Sequence, residues 1–278
     1  MLKNTFTHIP GIGLKTEERL WDSGVLNWDD ISESFHLKRL QKRVTHLRTH
    51  IHDSRENLET DNPKYFEKLL PSSLQWRMFP EFRHSTVYLD IETTGLESWG
   101  NHITSIALYD GECISYYVKG KNLEAFKKDI KKYKVIVTYN GKCFDIPFIE
   151  SYFGISLSQA HIDLRYILAS LGYRGGLKGC EKQLNIDRGG LKDIDGYFAV
   201  LLWDDFQRNK NQKALETLLA YNIEDTVNLE TLMVIAYNMK LRGTMFLETH
   251  QLPEPTQPAI PFEADRRIID RIKRQIWK

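Results

Sequence analysis

The sequence predicts an α/β layered domain behind a small N-terminal α-helical extension, on three observations. From Thr86 onward, short β-branched or aromatic runs are separated by Gly-containing turns. After residue 145 the apolar spacing becomes helical, and strands followed by helices suggest layers built on one sheet. Residues 1 to about 75 carry helical patterning of their own.

In the extension, Ile9-Pro10-Gly11-Ile12-Gly13 is a turn signal, followed by a short helix ending near Gly24. Leu37, Leu40, Val44, Leu47 and Ile51 then recur at helical spacing, with Lys38, Arg39, Lys42, Arg43, Arg48 and several histidines between them. One face packs and the other is basic. Pro63, Pro71 and Pro80 punctuate residues 62–84, which makes this passage the expected linker and puts the boundary near 75. Residues 1–75 are thus the extension, 76–245 the α/β domain, and 246–278 a tail with Pro253, Pro255, Pro258 and Pro261 and a basic amphipathic end.

Three adjacent strands are expected over 87–91, 103–109 and 113–118, then a Lys-rich helix over 122–132. Val135-Ile136-Val137-Thr138-Tyr139, bounded by Asn140-Gly141, has the apolar character of a buried strand in a mixed sheet. Helices follow over 145–153, 163–171, 176–184, 197–208 and 212–240, the last with Leu215, Leu218, Leu219, Ile223, Val227 and Leu232 on one side.

Composition excludes some classes and leaves others open. With 278 residues and 41% hydrophobic content, the chain can bury a core. The 38 Lys and Arg nearly balance the 37 Asp and Glu, so any basic surface for nucleic acid must come from local clustering. Cys113, Cys143 and Cys180 contain no C-x-x-C pair, which argues against a disulfide framework or a thiolate zinc site and fits a reducing, cytoplasmic setting. No run suits a signal peptide or approaches the roughly 20 apolar residues that span a bilayer. A soluble protein without a membrane partner is expected.

Asp90 and Glu92 sit two residues apart in a predicted strand, on the face opposite Val87, Leu89 and Ile91. They suit either a divalent cation site or a solvated strand end. Asp145 follows the buried strand and its turn at the start of a helix, where capping is the simpler role. Tyr221 and Asp225 stack at a spacing of four on one helix face, a weak sign taken alone.

The ordered combination is specific. Asp90-Ile91-Glu92-Thr93-Thr94-Gly95, Asn140 to Asp145, and Tyr221 to Asp225 resemble the three motifs of the DEDD exonuclease superfamily, which has a ribonuclease H-like fold. Tyr221 points to the DEDDy branch, and the likeness covers residues 85 to 240. The nearest likeness is to small prokaryotic predicted ribonuclease H-like exonucleases with an N-terminal helical extension. The resemblance implies a mixed five-stranded sheet flanked by helices, and a 3′-to-5′ exonuclease on single-stranded or frayed DNA or RNA. It implies two ions, Mg²⁺ or Mn²⁺, as suits hard oxygen donors without a His or Cys cluster. Asp90, Glu92 and Asp225 would hold the catalytic ion, Asp90 would bridge to the second, Asp145 would act there, and Tyr221 would orient the attacking water.

Thr93, Thr94, Gly95 and Asn140 are the substrate-binding candidates, although Gly95 and Asn140 also suit plain turns. Asp163 is read as a helix cap and left out of the metal set. The turn at Ile9–Gly13 resembles half of a helix-hairpin-helix unit and, with the basic stretch after it, suits a sequence-independent grip on a phosphate backbone or merely a solvated helix face. A noncatalytic nucleic-acid-binding module and a structure-selective endonuclease are the competing functions.

Overall fold

The computed structural model describes residues 1–31, 41–192 and 194–276. Helices α1 (Leu14–Asp22), α2 (Gln41–Glu59), α3 (Pro63–Leu69) and α4 (Phe79–Phe82) precede strands β1 (Thr86–Thr93), β2 (Ile103–Tyr109) and β3 (Ile114–Val118). Then come α5 (Phe126–Asp129), β4 (Val135–Thr138), α6 (Asp145–Phe153), β5 (Ala160–Asp163), α7 (Leu164–Ser170) and α8 (Gly176–Gln183). The chain ends with α9 (Gly196–Asn209), α10 (Gln212–Leu241), α11 (Leu247–His250) and α12 (Arg266–Ile276).

The five strands form one sheet in the order β3-β2-β1-β4-β5. β1 and β2, and β2 and β3, run antiparallel, while β1 and β4, and β4 and β5, run parallel. The mixed sheet is the expected one. β1 lies at its centre and divides two apolar layers. Val87, Leu89 and Ile91 pack with Ile106, Leu108, Phe126 and Phe148, while Tyr88 joins the layer containing Val137, Leu218, Leu229 and Tyr237. Side chains alternate along a strand, so Asp90 and Glu92 share the Tyr88 face, beneath α10.

The expected one-sided stripe on α10 is wider in the structure, where Ala214, Thr217, Ala220, Met233, Val234 and Ala236 are also buried. A helix packed by β1 and β2 on one side and α9 on another must be apolar nearly all round.

Residues 62–84, expected as a linker, are packed structure: Trp76, Met78 and Phe79 are fully buried. Pro63 and Pro80 stand in the first turns of α3 and α4, where a missing N–H breaks no helical bond, so the prolines start helices instead of opening a linker. Arg77 reaches back to Glu17 at 2.6 Å, and Glu17 Oε1 accepts the Phe6 and Thr7 N–H groups at 2.6 and 3.1 Å. This buried ion pair has all its charge balanced inside the N-terminal helices.

Leu37, Leu40, Lys38 and Arg39 of the predicted amphipathic stretch, and the side chains of Lys42, Arg43 and Val44, lie outside the described residues; Leu47 and Ile51 are buried. The helix expected over 122–132 is instead α5 between two 3₁₀ turns. The Pro-rich tail runs along α10, where Asn238 exchanges two hydrogen bonds with Leu252, Gln257 donates to Asn228 and the Asp265 N–H donates to Thr217. Among the described residues no helix is long and apolar enough to cross a membrane.

Candidate functional site

β1 and α10 bring three acids together. Asp90 and Glu92 project from β1 and Asp225 from α10, and each offers a carboxylate oxygen within 4.8 Å of the others. Glu92 and Asp225 are buried, and Asp90 is half-buried. Burial, then Asp145, Asp225 and Glu92, push the Asp90 carboxyl well above the ordinary carboxylate range. Burial and then Asp225 do the same to Glu92, against the pull of Lys178 and Arg188. Crowded, desolvated carboxylates hold their charge only beside a cation.

Asp145 stands just outside this trio. The parallel pairing of β1 with β4 ends at Tyr88, so the Ile91 N–H on that edge needs another acceptor. Asp145 Oδ1 supplies it at 3.2 Å. Asp145 is the first residue of α6, whose N-cap is Phe144, and its side chain is not the cap. Burial raises its carboxyl to about 7 although its own N–H and that of Ile91 pull the other way.

Five neighbours lie beyond the residues that the sequence singles out. Asn222 donates to Asp90 Oδ2 at 2.7 Å and is itself fixed by Ser105 Oγ at 2.9 Å. Arg188, in the segment before α9, pairs with Asp225 and with Glu181 of α8. Burial works against the Arg188 charge, and the two acids more than restore it. Lys178 Nζ lies 4.6 Å from the centroid of the Tyr221 ring. Burial, then Asp225, Glu92 and Asp90, drive the Tyr221 phenol far above its ordinary value, so it keeps its proton. Asn222 was legible as the neighbour of Tyr221, but Arg188 and Lys178 lie in segments with no recognisable spacing to the acids.

The remaining candidates lie at the end of β1 and in the loops that follow β1 and β4. Thr93 is buried, with Oγ1 donating to the Gly95 carbonyl at 2.7 Å. Thr94 closes the following loop, its N–H donating to the His102 carbonyl and its Oγ1 accepting the His102 N–H. A Cβ on Gly95 would stand 2.6 Å from the Asn101 side chain, so glycine lets that loop close. Thr94 lines a cleft of about 570 Å³ with Lys119, Lys121 and Phe206. Asn140, at φ 65°, lines another of about 490 Å³ with Tyr139, Arg165, Tyr173 and Arg174. Asp163 accepts the N–H groups of Arg165, Asn140 and Lys142, so it caps α7 and also pins the turn that leads to Asp145. Next to Asn140, a Cβ on Gly141 would lie 2.2 Å from Thr138 Oγ1. Gly141→Ala is therefore expected to destabilise the protein by about 1–3 kcal/mol, read as a lowered urea midpoint at unchanged slope.

Residues 87–237 match the RNase_H_2 family, described as RNase_H superfamily, which is more than half of the chain. Comparison with curated proteins finds no match. Among solved structures, the family B DNA polymerase from the hyperthermophilic archaeon Pyrobaculum calidifontis is similar at 12% identity and a TM-score of 0.37. That likeness covers 56% of this chain and 29% of the polymerase.

Proposed function

We propose that this chain, which belongs to the ribonuclease H superfamily, is a DEDDy-type 3′-to-5′ exonuclease that hydrolyses phosphodiester bonds of single-stranded or frayed nucleic acid with two divalent ions. The convergence of Asp90, Glu92 and Asp225 within 4.8 Å carries the reading. The donor set fits Mg²⁺ or Mn²⁺, since it is all carboxylate oxygen, without His or Cys. Asp90, Glu92 and Asp225 would hold one ion, and Asp90 with Asp145 the other. Bound there, the pair supplies an activated water and neutralises charge at the phosphate and the departing 3′ oxygen.

The chain's own residues do the rest. Tyr221, kept protonated, serves as a hydrogen-bond partner that orients water and not as a base. Thr93, Thr94, Gly95 and Asn140 would meet the terminal nucleotide. Asn222 aims Asp90, so Asn222→Ala should lower kcat about 10–100-fold with KM little changed, as loss of a supporting hydrogen bond does at metal sites. A reducing, cytoplasmic setting agrees with Cys113, Cys143 and Cys180 all being free thiols.

The test uses 5′-labelled single-stranded DNA and RNA beside an internally labelled circle, each with Mn²⁺, Mg²⁺ or EDTA. A metal-dependent ladder shortening from the 3′ end, with the circle intact, is expected, and the faster substrate assigns the sugar preference. Cleavage of the circle would replace this reading with an endonuclease, and binding without cleavage would replace it with a noncatalytic module.

A further inference from the structure

The proposed chemistry assigns no task to the buried polar network behind Asp225. Arg188 is buried, and its two terminal nitrogens are divided between two acids: Nη2 donates to Asp225 Oδ1 and Nη1 to Glu181 Oε2. Glu181 is fully buried and its other oxygen accepts Asn228 Nδ2 at 2.9 Å. Asn228, equally buried, accepts Gln257 Nε2 at 2.8 Å from the Pro-rich tail. The network therefore runs unbroken from the tail through α10 and α8 to a carboxylate of the acid trio.

The charges suggest what it does. A lone arginine beside Asp225 would neutralise that acid and compete with a cation for it. Arg188 already has the Glu181 charge against it, so the Glu181–Arg188 pair is formally neutral and acts on Asp225 mainly through direction. A planar guanidinium offers two donors in fixed geometry, and here it is clamped from behind by a carboxylate that is itself clamped. Asp225 Oδ1 is engaged by Arg188, while no described residue makes a hydrogen bond to Oδ2.

We propose that Arg188, anchored by Glu181, is a positioning residue that fixes the Asp225 carboxylate with one oxygen turned to the cation site. The inference rests on the metal-dependent reading given above. Supporting groups of this kind are worth about 10–100-fold in metal affinity. A lysine keeps the charge but presents one ammonium, which cannot reproduce the bridging fork, and Glu181→Gln keeps the shape of the anchor while removing its charge.

Mn²⁺ binding is measured by calorimetry on the full chain, for the wild type, Asp90→Ala/Glu92→Ala, Arg188→Lys and Glu181→Gln, with circular dichroism and thermal unfolding in EDTA to establish folding. Arg188→Lys and Glu181→Gln are expected to fold and to bind Mn²⁺ about 10–100-fold more weakly, with kcat reduced and oligonucleotide KM within about twofold. Should Arg188→Lys not fold, Glu181→Asp, which keeps the charge that balances Arg188 but shortens the anchor, decides in its place and is expected to weaken Mn²⁺ binding in the same way. Binding as tight as in the wild type, or tighter, overturns the inference and makes Arg188 a mere counter-charge. If wild-type Mn²⁺ binding survives the loss of Asp90 and Glu92, the metal reading falls and this one with it. If it depends on those acids but not on Arg188 or Glu181, only the present inference falls.

Discussion

Asp225→Asn and Glu92→Gln are each expected to lower kcat/KM on the order of 10³-fold or more, equivalent to roughly 4 kcal/mol of transition-state stabilisation. Both changes keep side-chain volume and remove one negative charge from a crowded trio that offers one oxygen each within 4.8 Å. The same logic gives Asp90→Asn a second, opposite effect. Burial and three neighbouring acids disfavour the Asp90 charge in the metal-free protein, so its removal relieves repulsion. Asp90→Asn should raise the unfolding temperature in EDTA while abolishing cleavage. Loss of activity accompanied by a lower unfolding temperature would instead mark Asp90 as an ordinary structural acid.

The second large effect is the pH dependence of stability. The Asp145 carboxyl goes from an ordinary 3.8 to about 7 on folding, mainly through burial. Between those values the folded chain holds a proton that the unfolded chain has released, so stability falls as pH rises from about 4 to about 7. For Asp145 alone the loss is on the order of 4 kcal/mol. Asp90 and Glu92, raised in the same sense, deepen it. In EDTA, the unfolding temperature at pH 8 should thus lie on the order of 5 °C or more below that at pH 5. Divalent cations bind the ionised carboxylates, so added Mn²⁺ should raise the unfolding temperature far more at pH 8 than at pH 5. Unfolding temperatures that rise with pH in EDTA would show that these acids are already neutralised within the fold.

The sequence was most legible where local pattern and tertiary role agree. The alternation Val87-Leu89-Ile91 against Asp90-Glu92 predicted both the strand and the face on which the acids stand, because β1 is central and has an apolar layer on each side. α10 was visible for its length and its apolar spacing. β5 was not placed, since Ala160-His161-Ile162-Asp163 is too short to show a period. Residues 62–84 look like a linker in sequence yet are packed, because proline breaks helices in their interior but is welcome in their first turn. Asp145 looked like a cap, whereas its partner is the strand N–H left over where β4 stops, and only the sheet register reveals that. Arg188 and Glu181 were invisible for a related reason: their pairing depends on how α8 and the segment after it lie against α10. A lone Arg or Glu in sequence says nothing about burial.

Whether the acids of the site hold metal is tested by soaking a crystal of the protein in Mn²⁺ and measuring anomalous scattering. A peak is expected at coordination distance from Asp90, Glu92 and Asp225, with a second one sharing Asp90 near Asp145, and neither in the Asp90→Asn/Glu92→Gln protein. A map with no peak at these acids, or one whose peaks persist in that variant, would contradict this expectation.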